Sequence, residues 1–243
     1  MTWQSYRAKI ASIRLLAPEA FELVLTLVDP PRLNFQPGQA VAIPVPASFS
    51  KTPIRRYYSL ASPPSSSAKI SLLCDQGEQG IASQFLRNQS VGEELVFEGP
   101  FGSFCLRNNP KQDLLFVATG TGIAPIRSMI TTLLENGLSQ PITLVWGLRR
   151  EWDLYFVEEF ERWANRYANF SFILTLTKAE SQWAGARGRV TQVLKGMEHL
   201  DRFTAYVCGG KNMVMEVTAL LHERGVSHVY HERHHDATCK DDG

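Results

Sequence analysis

The rhythm of the chain changes near residue 110, and that change limits the fold more than any other feature. Before it, short β-like runs at 8–15, 21–27, 40–45, 56–61, 68–74 and 94–98 are separated by Pro, Gly and Ser clusters. Pro30-Pro31, Pro37-Gly38, the Pro63-Pro64-Ser65-Ser66-Ser67 stretch and Gly99-Pro100-Phe101-Gly102 supply the turns. Short strands at this spacing predict an antiparallel barrel or sandwich. After residue 112 the order becomes strand, helix, strand, helix, strand, at 114–118, 126–134, 142–146, 156–167 and 170–176. That alternation predicts an α/β unit, a parallel sheet flanked by helices. A chain of 243 residues, 44% of them hydrophobic, can bury the cores of two such units. The expected division is a β-barrel domain over 1–107, an α/β domain over 112–235 and a flexible tail over 236–243, with a linker at 107–112 holding Asn108-Asn109-Pro110.

Charge and cysteine usage narrow the class of partner. With 25 basic and 24 acidic residues the chain is near neutral, so a nucleic-acid or membrane-surface partner is not expected. The opening MTWQSYRAKI lacks the apolar stretch of a signal peptide, and no segment approaches the ~18 apolar residues of a membrane span. The expected location is the cytoplasm and the expected ligand is small. Cys74, Cys105, Cys208 and Cys239 are scattered, without a C-x-x-C pair or closely spaced cluster ligands. His231, His234, His235 and Cys239 fall in a polar tail and are read as a loose terminus, not as a metal site.

Three segments carry chemistry. Arg56-Tyr57-Tyr58-Ser59, placed at the start of an apolar strand, offers a cation, a phenol ring and a hydroxyl on an extended chain, which suits a flat, phosphate-bearing ring system such as a flavin. Thr119-Gly120-Thr121-Gly122 joins the apolar run 114–118 to a helix, so its amides can face a phosphate where the helix dipole favours negative charge. Pro125 fits the first turn of that helix, where a missing N–H costs nothing. An ordinary tight turn would explain one such glycine segment, but Ala205-Tyr206-Val207-Cys208-Gly209-Gly210 repeats it. Two glycine turns at the carboxyl ends of parallel strands can bracket one dinucleotide.

With these segments in order, nearly the whole chain resembles the ferredoxin-NADP reductase superfamily, and within it flavin reductases and the reductase components of oxygenases. The resemblance also includes Gly80-Ile81-Ala82-Ser83, Gly99-Pro100-Phe101-Gly102, Val145-Trp146-Gly147-Leu148-Arg149 with Asp153-Leu154-Tyr155, and the segment 183–190. It implies that Arg56 pairs with the flavin pyrophosphate, that Tyr58 packs on the isoalloxazine and that Ser59 lies near its N5. Tyr57 belongs to the same motif. Gly80, Ile81, Ala82 and Ser83 resemble the helix N-terminus that holds a diphosphate, which favours FAD over FMN. Many relatives carry Lys or Arg in the strand before this turn, where this chain has Cys74-Asp75-Gln76.

The same resemblance puts Thr121 and Cys208 beside the nicotinamide, Gly120, Gly122 and Gly209 at the nucleotide phosphates, and Glu232 at the flavin edge. No base lies in sequence near Cys208 to activate it, so it is expected to position and not to attack. A 2′-phosphate calls for a cation at the end of strand 170–176, and Lys178 fits, helped by Arg149 or Lys211; Glu180 instead suits a free ribose hydroxyl. NADP and NAD both stay open as the hydride donor. The resemblance implies an FAD-dependent NAD(P)H oxidoreductase that passes electrons to a ferredoxin, a flavodoxin or an oxygenase-type partner. Two alternatives are an NAD(P)H:flavin reductase using free flavin as substrate, and a non-enzymatic electron-transfer or regulatory subunit of a larger complex.

Overall fold

A computed structural model describes residues 3–47, 50–75, 80–107 and 112–232. The first strands are β1 (Gln4–Ala17), β2 (Ala20–Asp29), β3 (Ala40–Ala47), β4 (Ser50–Ser59) and β5 (Lys69–Asp75), followed by helix α1 (Ile81–Arg87) and β6 (Glu94–Phe101). These strands form one antiparallel sheet in the order β4-β3-β6-β1-β2-β5. A bridge between Leu60 and Leu72 brings its two ends together, so the sheet curls into a barrel. Period-two patterning explains the inside and outside: Tyr6, Ala8 and Ile10 of β1 are buried, while Ser5, Arg7 and Lys9 between them are exposed.

The second half runs β7 (Asp113–Thr119), α2 (Ile123–Glu135), β8 (Ile142–Leu148), α3 (Val157–Arg166), β9 (Phe170–Leu176), β10 (Ala186–Arg187), α4 (Val190–Lys195), β11 (Phe203–Cys208), α5 (Lys211–Glu223) and β12 (His228–His231). All its strands pair in parallel, in the order β10-β9-β8-β7-β11-β12. Leu114 to Ala118 of β7 are buried without alternation, as expected for a central strand covered by helices on both faces. The chain winds outward from β7 in one direction through β8 and β9, then returns to lay β11 on the other side. The carboxyl ends of β7 and β11 therefore flank a topological switch point, where open α/β sheets bind ligands.

The two halves share a core. Ala17, Ala20, Ala61, Leu73 and Phe104 of the barrel pack in one buried cluster with Ile126, Met129 and Ile130 of α2 and Trp146 of β8. Polar contacts follow the same seam: Ser128 Oγ donates to the Ser62 carbonyl at 2.7 Å, and Arg127 Nη1 to the Ala61 carbonyl at 2.9 Å.

Several expected boundaries move. β4 covers Ser50–Ser59, so Arg56 to Ser59 form its end and not the start of a strand. Its first half is polar and holds Pro53, which reads as loop, but a strand at one end of the sheet order tolerates both. α2 begins at Ile123, directly after a 3₁₀ turn over Gly120–Gly122. Pro125 thus sits in the first turn of α2, among the N–H groups that lack an intrahelical acceptor. The final strand spans His228–His231. Arg233, His234, His235, Cys239 and the 236–243 tail lie outside the described residues.

Candidate active site

Between the two sheets lies a cleft of about 1510 Å³. That exceeds the ~300–1,000 Å³ of a drug-sized ligand site and gives room for larger ligands. Most of the site residues expected from the sequence border it: Arg56 to Ser59, Gly80 to Ser83, Gly120 to Gly122, Lys178, Cys208, Gly209 and Glu232.

The end of β4 presents the first group. Pairing with β3 sets Tyr58 opposite Val41 and Ser59 opposite Ala40, which turns Tyr58 onto the barrel core, where it is partly buried. Burial, reinforced by Cys74 nearby, pushes the Tyr58 phenol well above its ordinary pKa, so it stays a neutral ring. The two neighbouring arginines differ. Arg55 is held by Glu98 at 2.9 Å, whereas exposed Arg56 donates to the Arg55 carbonyl at 3.2 Å. Tyr57 borders the cleft, but its ring packs edge-on against Phe101 with centroids 5.4 Å apart.

Two helix starts face the same space. α1 opens at Gly80 and α2 follows the Gly120–Gly122 turn, and neither has a side-chain cap, so amides of their first turns lack that partner. Ser83 does not cap α1 and borders the cleft instead. Gly120 takes φ +54° with open space where a β-carbon would stand. At Gly122 a β-carbon would lie 2.5 Å from the Cys208 carbonyl oxygen and 2.7 Å from the Gly209 nitrogen. The two glycine turns therefore touch backbone to backbone, a contact that no side chain permits.

At that contact, residues far apart in sequence form one hydrogen-bonded group. Ser59 Oγ donates to Glu232 Oε1 at 2.8 Å, and the Cys208 thiol donates to Glu232 Oε2 at 2.9 Å. Glu232 reaches this position because β12 pairs with β11 and the Glu232 amide caps the ladder on the Val207 carbonyl at 3.3 Å. Cys208 is 1% exposed, and burial, then the charge of Glu232, raise its pKa well above the usual thiol value. It is thus a hydrogen-bond donor and not a thiolate nucleophile.

The far end of the cleft is lined by Arg149 and Lys178, while Lys211 and Glu180 are not among its lining residues. The Glu180 amide donates to Glu151 Oε1 at 2.8 Å, and its loop is pinned by Arg187. That guanidinium donates to the carbonyls of Ala179, Glu180, Ser181 and Trp183 at 2.7–3.2 Å. In the sequence Asp75 stands out only as a departure from the pattern of relatives, with no role attached. At the end of β5, Asp75 Oδ1 accepts the Thr121 hydroxyl at 2.8 Å across the seam. Tyr155 also borders the cleft, its hydroxyl buried and without a hydrogen-bond partner among the described residues. Neither position had a sequence signal of its contact, since each depends on packing between distant elements.

A curled antiparallel barrel joined to a switch-point crevice with two abutting glycine turns defines a two-domain flavin- and pyridine-nucleotide-binding protein. Comparison with known proteins agrees. The oxidoreductase FAD-binding domain family matches residues 7–105, and the oxidoreductase NAD-binding domain family matches 116–219. The chain belongs to the ferredoxin-NADP reductase superfamily. It is 35% identical over 229 residues to the reductase component of phenol 2-monooxygenase from Pseudomonas sp. strain CF600, covering 91% of this chain and 63% of that one. It is 30% identical to ferredoxin–NADP reductase B of Sorangium cellulosum, covering 95% of this chain and 98% of the relative. Its fold matches a cytochrome P450 reductase of Amycolatopsis with a TM-score of 0.86 at 24% identity, over 95% of this chain and 70% of that one. The FAD/NAD-binding domain of a Vibrio cholerae nitric oxide dioxygenase matches with 0.83 at 19% identity, over 93% and 97%.

Proposed function

We propose that the protein is an FAD-dependent NAD(P)H oxidoreductase that delivers electrons to a separate acceptor, a ferredoxin, a flavodoxin or an oxygenase-type partner, with 1–107 and 112–235 as its two working halves. The observation that carries this reading is the Ser59–Glu232–Cys208 group, assembled from the end of the barrel strand β4, the end of β11 and the residue after β12 at one point of the cleft. A donor ring and an acceptor ring brought face to face need positioning above all, because bringing reacting atoms to ~3–3.5 Å removes much of the entropic barrier. Bound FAD supplies the acceptor ring and the redox chemistry. Arg56 and the uncapped start of α1 hold its diphosphate, Tyr58 gives its ring a flat apolar face, and Ser59 sits at its reactive edge. On the opposite wall Gly120 to Gly122 and Gly209 take the nucleotide phosphates, Thr121 and Cys208 flank the nicotinamide, and Arg149 with Lys178 face the adenosine end. Glu232 fixes the Ser59 hydroxyl and the Cys208 thiol in place by accepting from both.

Among the described residues no helix is long and apolar enough to cross a membrane. Cys74, Cys105 and Cys208 are buried free thiols, which suits a reducing compartment, and the cytoplasm is the proposed location.

The test is a visible spectrum of protein purified without added flavin, followed by separate anaerobic additions of NADH and NADPH. Yellow protein bleached by one nucleotide is the expected result and gives the preference directly. Colourless protein that reduces added flavin would convert the proposal into a flavin reductase with flavin as substrate. Bound flavin that neither nucleotide bleaches would overturn the oxidoreductase reading in favour of a subunit role.

A further inference from the structure

Asp75 is the conspicuous misfit of the cleft. It ends a strand whose residues 70–74 are buried, at the seam between barrel and nucleotide domain, on a cleft proposed to accept phosphates. An acid there adds repulsion, so its value has to lie in something it holds. What it holds is the Thr121 hydroxyl, at 2.8 Å, in the middle of the Gly120–Gly122 turn. A hydroxyl has one proton to give and lone pairs to offer. With its proton committed to Asp75, Thr121 Oγ1 can only accept further hydrogen bonds. Thr121 also stands next to Gly122, whose backbone abuts Cys208 and Gly209, so the fixed acceptor lies at the contact of the two glycine turns.

We propose that Asp75 is a positioning residue for the nicotinamide: by accepting the Thr121 hydroxyl's hydrogen bond it leaves that oxygen as an acceptor, which seats the NH₂ group of the ring carboxamide and not its carbonyl. The inference rests on the placement of Thr121 beside the nicotinamide given above. Its chemical consequence is a choice between the two ends of a primary amide, one a donor and one an acceptor, and hence between two orientations of the ring substituent. The walls around Asp75 favour this use. Asp75 stays exposed at the end of β5, yet partial desolvation raises its pKa, the Thr121 hydrogen bond lowers it and Glu19 raises it again, and the Thr121 hydroxyl is a donor that its carboxylate accepts.

The probe is the 3-acetylpyridine analogue of the oxidised nucleotide, which keeps the carbonyl and replaces NH₂ with a methyl group. Dissociation constants of the natural nucleotide and of the analogue are measured by calorimetry on FAD-loaded, oxidised protein, with no turnover. Wild-type protein is expected to bind the analogue about two- to tenfold more weakly, the worth of one neutral hydrogen bond. Asp75→Ala releases the hydroxyl to donate to either carbonyl and should bring the ratio close to one. Asp75→Asn keeps an accepting carbonyl and should restore discrimination. Thr121→Val should abolish it. If Thr121→Val removes discrimination while Asp75→Ala retains it, the role of Asp75 is overturned and the placement of Thr121 stands. If Thr121→Val retains the wild-type ratio, the placement of Thr121 itself is wrong. Wild-type protein that binds both nucleotides equally overturns the acceptor role outright.

Discussion

Glu232 accepts two hydrogen bonds at once, from a hydroxyl and from a thiol, and a carboxylate is the side chain that can serve two donors with equivalent oxygens. Glu232→Gln places an amide N–H₂ against one of those donors, so either Ser59 or Cys208 loses its acceptor. Stopped-flow reduction of bound flavin should slow by about tenfold, the cost of one charge-assisted hydrogen bond, while Kd for the nucleotide changes little. An unchanged reduction rate would remove Glu232 from the site. The buried thiols also give the fold an alkaline limit. Cys74 and Cys208 both have pKa values raised by burial above the ordinary 9.0, so above that pH the unfolded chain releases protons that the folded one keeps. Stability is full below pH ~9 and falls as pH rises further, by about 1.4 kcal/mol per pH unit for each thiol. Urea unfolding at pH 8 and pH 10 should therefore show a lower midpoint at the higher pH, and equal midpoints would contradict the burial of both thiols. Tyr155 gives a third case. Its hydroxyl is buried without a partner among the described residues, so Tyr155→Phe should leave stability unchanged or raise it by up to ~1 kcal/mol. Ser59, Cys208 and Glu232 were legible in the sequence because each sits in a segment whose order along the chain matches a known pattern. Asp75 was not, since its meaning lies in a hydroxyl 46 positions away that only the packed seam brings to it.

The elements most readable from sequence are those whose signal is local. The expected strand at 170–176 coincides with β9, because a largely apolar run between turns needs no distant information. β1 shows the opposite case. It runs from Gln4 to Ala17, well beyond the expected 8–15, because pairing with β6 and β2, with bulges at its register shifts, extends it through polar residues. α5 at Lys211–Glu223 was not marked as a helix by the alternation, since its apolar face is interrupted by polar positions and its stability comes from packing Val214, Val217 and Leu221 onto β11. The glycine turn after β7 was read correctly as a strand-to-helix joint. Its closest constraint, however, comes from the second glycine turn. Gly122→Ala should be far more damaging than its surface position suggests, since the added methyl must displace the Cys208–Gly209 backbone. Overpacking of this kind costs about 1–3 kcal/mol. Gly120→Ala meets open space and pays only for its left-handed φ of +54°. Thermal melts of the two variants should rank Gly122→Ala below Gly120→Ala, and the reverse order would refute backbone contact between the turns.

At the scale of the whole molecule, the change of rhythm near residue 110 correctly separates two sheets, but it does not show that they share a core. Nothing in the sequence links Ala61 and Leu73 of the barrel with Ile126 and Met129 of α2, yet these residues pack in one cluster. The seam is also polar where it must be. Ser128, fully buried on α2, gives its proton to the Ser62 carbonyl, and Arg127 divides its guanidinium between the Ala61 carbonyl and the Glu159 carboxylate at 3.0 Å. A cleft built from both halves keeps its shape only if they do not slide, and these bonds set the angle at which β4 meets the ends of β7 and β11. Ser128→Ala strands the buried Ser62 carbonyl, an omission that costs about 1–3 kcal/mol. In a protein of this size that lowers Tm by roughly 2–12 °C. Because the core is continuous, wild type and Ser128→Ala should each melt in one transition seen equally by barrel and nucleotide-domain probes. Calorimetry that resolves two transitions, one per sheet, would show that the halves fold independently and that the cleft between them is held by its ligands and not by the seam.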